Sequence, residues 1–157
     1  MNLAEEKKAS FERKIFERFA SAAHLDVDLA TVQSCRPPAP DIACLTVSGE
    51  RLAFELVELC SPEIAKAVGD DLKAGGGATF VPSADPTRRV LLKKLCKDYT
   101  CDVPIDLLCY ADGYLVTPDD VVIAEMQALI DAKAGGLGPF RSVWFLGEDD
   151  AYCVASA

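Results

Sequence analysis

The segment Arg51-Leu-Ala-Phe-Glu-Leu-Val-Glu-Leu59 constrains the fold more than any other. Its apolar residues occupy both strand faces, which fits a central strand covered by helices on both sides. Glu55 stands in the middle of it. An acid so placed is costly unless it has a partner or a task. Asp41-Ile-Ala-Cys-Leu-Thr-Val47 precedes it as another strand, and Ser48-Gly49-Glu50 forms the turn of a hairpin.

The geometry of that hairpin can be tested on paper. A three-residue loop from Ser48 to Glu50 pairs Val47 with Arg51 and sets Asp41 opposite Val57. Glu55 is then on the same face as Asp41, as a diagonal neighbour. A two-residue loop would send the two acids to opposite faces. Gly49 permits the positive φ that an odd-length loop needs. The bland alternative is a turn-flanking aspartate and a glutamate paired to Arg51 or Arg88.

Helical periodicity over residues 3 to 23 puts Phe11, Ile15 and Phe19 at the centre of an apolar face, with Glu12 inside or beside it. Residues 24 to 40 form a connector containing Pro37-Pro38-Ala39-Pro40. A short helix is expected over Ser61 to Val68, a flexible break at Gly75 to Gly77 and a short strand over Ala78 to Val81. A helix follows from Asp85 to Tyr99, then a strand from Pro104 to Tyr110. Thr117-Pro118-Asp119-Asp120 reads as a capped helix start, and that helix runs to about Lys133. Phe140 to Leu146 and Tyr152 to Ala155 close the chain as strands. The order α-β-β-α-α-β-α-β-β describes an α/β fold with a mixed sheet flanked by helices.

The 157 residues suit a single domain, 1–157. Seven cysteines, with no secretory leader, read as reduced thiols of a cytoplasmic protein. No apolar run is long enough to span a membrane. The net charge of −9 argues against broad, non-specific nucleic-acid binding. Residues 87–97 nevertheless carry five basic side chains (Arg88, Arg89, Lys93, Lys94, Lys97) and no acid. A polyanion would meet that one small patch.

Several chemistries lack their residues. The single histidine, His24, lies in a polar stretch, which leaves no base for a Ser-His-Asp or Cys-His arrangement. Gly75-Gly76-Gly77 is not followed by Gly-Lys-Ser/Thr, so it is no phosphate loop. Two carboxylates brought together by a hairpin remain, and such a pair suits Mg²⁺ or Mn²⁺.

Pro40-Asp41, a glycine-containing turn and Glu55-x-Val57 together resemble the signature of the PD-(D/E)XK nuclease superfamily. Element order extends the resemblance over residues 3 to 110. It implies a restriction-endonuclease-like fold and metal-dependent phosphodiester hydrolysis. Asp41 matches the family's aspartate and Glu55 its acid, both as metal ligands, and Glu12 matches an acid that the first helix often adds. The family's lysine position is Val57, a clear departure. Arg88, placed by periodicity on the apolar side of its helix, and Lys94, nearer the boundary, are the basic residues able to reach back, and they are candidates for substrate binding. The resemblance leaves two outcomes open: an active Mg²⁺- or Mn²⁺-dependent nuclease, or an inactive relative that works through protein or nucleic-acid contacts.

Overall fold

The computed structural model describes residues 2–59, 87–111 and 118–157. Helix α1 (Leu3–Ala22) opens with Asn2, whose side chain accepts from the Glu5 amide while Glu5 reaches back to the Asn2 amide. This reciprocal cap satisfies two amides that the first turn leaves unpaired. Six strands follow: β1 (Val27–Ser34), β2 (Ile42–Thr46), β3 (Arg51–Glu58), β4 (Ile105–Tyr110), β5 (Phe140–Leu146) and β6 (Ala151–Ser156). Helix α2 (Thr87–Leu95) lies between β3 and β4, and α3 (Asp119–Ala132) between β4 and β5.

The strands stand side by side in chain order in one sheet. The pairs β3–β4 and β4–β5 are parallel and the other three antiparallel, so the chain is α/β with a mixed sheet. Side-chain alternation divides the core. Phe54, Leu56 and Leu108 face α1, where they meet Ile15, Phe16 and Phe19. Ala53, Leu107 and Cys109 face the other way, against Leu91 and Leu95 of α2 and Val122 and Met126 of α3. The ring of Phe54 sits 4.9 Å from Phe16 and 5.8 Å from Phe19, centroid to centroid. Residues covered on both sides account for the continuous apolar runs of β3 and β4.

Four expectations need correction. Residues 27–34 are a strand, not part of a connector. Val32 is the only buried residue of β1, an edge strand whose outward side chains carry little apolar signal. The buried stripe of α1 is Glu12, Ile15, Phe16, Phe19 and Ala20, whereas Phe11 is 38% exposed. The hairpin loop is Val47-Ser48-Gly49, one residue earlier than expected, because the Thr46 amide already donates to the Glu50 carbonyl. Gly49 takes φ +93° there. Helix α3 has Pro118 at its N-cap without a side-chain cap bond. Thr117 lies outside the described residues, as do the expected elements at 61–68, 75–77 and 78–81. No described helix is long and apolar enough to cross a membrane.

Candidate active site on the notched edge of the sheet

Strand β2 pairs with β3 only as far as Ile42 opposite Phe54. Strand β3 runs on beside β4 until Glu58 meets Tyr110. The sheet is therefore notched where β2 begins, and Asp41 stands at the corner. The corrected loop shifts the hairpin register by two. It keeps the parity of the faces but sets Asp41 directly opposite Glu55 rather than diagonal to it. The Asp41 amide donates to Glu55 Oε1 at 3.2 Å. Asp41 Oδ2 in turn accepts from the Leu56 amide at 2.9 Å, which occupies a backbone donor beyond the end of the β2–β3 ladder.

Glu55 is 3% exposed and packs on the α2 side of the sheet. Its Oε2 lies 3.4 Å from Lys94 Nζ of α2. The buried stripe of that helix is Thr87, Leu91 and Leu95. Lys94 follows Thr87 by seven positions and so falls beside the stripe, aimed at the sheet. Arg88 lies a third of a turn away and is exposed, against the expectation that it sits on the apolar side. Neither of the arginines considered as partners pairs with Glu55: Arg51 instead holds Asp102 through two contacts of 2.9 and 2.8 Å.

A cavity of about 710 Å³ opens over these residues. Glu12 reaches its wall from α1, 9% exposed and 3.4 Å from Lys8 Nζ. Its acids are Glu12, Asp41, Glu55, Glu58 and Asp98. Among the described residues they outnumber the bases Lys8, Lys94 and Lys97. Arg88 is not among the lining residues.

Burial first, then the hydrogen bond shared with Glu55 and the charges of Glu55 and Glu12, push the Asp41 carboxyl up to about 7, although the Leu56 amide opposes them. Burial alone would raise Glu55 too, but Asp41, Tyr99 and Lys94 together hold it below the usual carboxylate range. Two acids this close resist ionising together, and below about pH 7 Asp41 is the one that keeps the shared proton. Burial, with smaller help from the Glu55 charge, raises Glu12 despite Lys8.

The donor set accommodates a hard cation in one respect and falls short in another. Adjacent carboxylates that share a proton can exchange it for a divalent ion, and Mg²⁺ is commonly held by one or two carboxylates, with waters and substrate completing its shell. Among the described residues, however, no group of three or more His, Cys, Asp or Glu side chains is arranged to hold a metal. Asp41 and Glu55 form a pair, with Glu12 farther along the wall.

Sequence reasoning passed over two acid–base features. Tyr99 lines the cavity with Glu55 in the connection after α2, a helix that ends at Leu95 and not at Tyr99 as expected, and a tyrosine there gives no local signal. Asp106 is a second buried acid in a central strand. It is held by Arg141 through contacts of 3.1 and 2.9 Å and serves the sheet rather than the cavity. His24 is exposed, as expected, at φ +54° just past α1. No family model, curated protein or solved structure matches the chain.

Proposed function

We propose that the cavity is the centre of a Mg²⁺- or Mn²⁺-dependent phosphodiester hydrolase of the nuclease-like, restriction-endonuclease-like kind, with its lysine supplied by α2. The observation that carries this reading is the 3.4 Å approach of Lys94 to Glu55 beside Asp41. Asp, Glu and Lys, the three residue types that the PD-(D/E)XK motif brings together, thus meet in one cavity although position 57 is valine.

Each residue has a task in this reading. Asp41 and Glu55 would hold the cation. Asp41 would do so while its Oδ2 stays anchored by the Leu56 amide, which fixes the carboxylate's position. The cation supplies Lewis-acid stabilisation of the negative charge on the phosphate. Lys94, on a flexible stem, would be free to meet a phosphate oxygen were Glu55 to hold a cation. Glu12 adds negative charge to the wall and holds Lys8 toward the opening. Arg88, with Arg89 and Lys93, lies on the exposed arc of α2 outside the cavity, where the backbone of a longer nucleic acid can lie.

A second reading is favoured by the closure of the same network. Lys94, the shared proton and the Leu56 amide already satisfy the two carboxylates without any cation. On this reading the chain is a catalytically inactive nuclease-fold protein acting as a protein-interaction or nucleic-acid-binding module. Calorimetric titration of Mn²⁺ into wild type and Glu55→Ala separates the two. Binding that disappears in the variant supports the hydrolase. No binding to wild type overturns it and leaves the interaction module.

A further inference from the structure

The Tyr99 hydroxyl is buried in the cavity wall, and among the described residues no well-formed hydrogen bond reaches it. An unsatisfied buried donor costs free energy, so its persistence calls for a reason. Contacts on the ring and on the following residues hold it in place. The ring packs on Phe140 at 5.6 Å, and Lys97 Nζ lies 5.2 Å over its face. The next residue, Thr100, donates its amide to the Pro38 carbonyl at 3.0 Å. Asp102, two residues on, is clamped by Arg51. A packed donor thus shares the cavity wall with a carboxylate that has other partners.

Glu55 is that carboxylate. Its two oxygens serve the Asp41 amide and Lys94, at 3.2 and 3.4 Å, both long contacts. Tyr99 lines the same cavity as Glu55, with its hydroxyl buried there and no well-formed bond made to the carboxylate. A phenol facing a carboxylate can only donate toward it.

We infer that Tyr99 is the positioning residue of Glu55 in the cation-loaded site: when Lys94 leaves, the carboxylate settles onto the Tyr99 hydroxyl, which fixes the orientation of its ligating oxygen. This rests on the hydrolase reading and adds to it a residue absent from the sequence motif. Carboxylate ligands are commonly held by such an outer hydrogen bond, and its loss costs about 10- to 100-fold in metal affinity.

The test compares wild type, Tyr99→Phe and Glu55→Gln, each measured twice: Mn²⁺ affinity by calorimetry, and melting temperature in chelator. The expected result is a roughly tenfold or greater loss of Mn²⁺ affinity in Tyr99→Phe. Its metal-free melting temperature should be unchanged or raised, since the variant removes an unpaired hydroxyl. Glu55→Gln should bind no Mn²⁺. Binding by Tyr99→Phe within twofold of wild type, with Glu55→Gln still inactive, overturns the role of Tyr99 and leaves the metal site standing. A clear fall in the metal-free melting temperature of Tyr99→Phe means that the hydroxyl already has a hydrogen-bond partner without metal, and overturns the inference. Wild type that binds no Mn²⁺ overturns the metal site and this inference together.

Discussion

Lys94 of α2 and Glu55 of β3 lie 39 positions apart in the chain and 3.4 Å apart in space. The lysine is one-fifth exposed and the glutamate almost wholly buried. A buried carboxylate with an ammonium beside it is a charge arrangement that the surrounding fold must maintain. Substituting Lys94 therefore separates its two roles. In Lys94→Met, the carboxylate loses a competitor for the cation. Calorimetry should show Mn²⁺ binding as tight as in wild type or several-fold tighter. A variant that binds Mn²⁺ much more weakly would make Lys94 a structural support of the carboxylates.

Asp41→Asn should stabilise the metal-free protein at pH 8. The asparagine carbonyl can still accept from the Leu56 amide, and its NH₂ can donate to Glu55 where Asp41 now needs a proton. A gain of about 1–2 kcal/mol is expected, discounted for partial exposure. The same variant should lose all stabilisation by Mn²⁺. Denaturant unfolding with and without metal checks both.

The pH dependence follows from the two carboxyls. The folded Asp41 carboxyl titrates near 7, above its ordinary value of 3.8. Its contribution to stability is full below the unfolded value and is lost as pH rises through about 7. Glu55 has the opposite sign: held below 4.5, it contributes above that value, and the contribution is lost as pH falls through its folded pKa. The difference in unfolding free energy between wild type and Asp41→Asn should therefore widen from pH 4 to pH 8 in chelator. A flat difference would contradict the shared proton.

Phe54→Ala should cost about 3–5 kcal/mol, since Phe54 is fully buried between Phe16 and Phe19. Chemical denaturation measures it. A loss below about 1 kcal/mol would mean that α1 does not seal this face.

How much of this was legible in the sequence depended on which contacts were local. The hairpin and the common face of Asp41 and Glu55 followed from strand parity, which survives a register error of two. The register itself did not, because the turn hydrogen bonds of Thr46 and Glu50, not the position of Gly49 alone, set the loop. Strand β1 was hidden because an edge strand with one buried residue has no apolar alternation to read. Glu12 was found from its helical spacing, whereas Phe11 was misplaced by the same reasoning, since Phe16 rather than Phe11 fills the core. Between the two basic candidates, the Thr87-Leu91-Leu95 stripe decides for Lys94 over Arg88. Tyr99 enters through the fold of the α2–β4 connection, which no local pattern announces.

Cleavage assays carry the central claim most directly. Wild type and Lys94→Ala, each saturated with Mn²⁺, are incubated with labelled single- and double-stranded DNA and RNA, and products are resolved on a gel. Wild type should cleave at least one of these substrates. Lys94→Ala, still binding Mn²⁺, should be slower by about 100-fold or more, the scale of a lost charge-stabilising group. Metal-loaded wild type that leaves every substrate intact, or a Lys94→Ala variant as fast as wild type, would contradict the account.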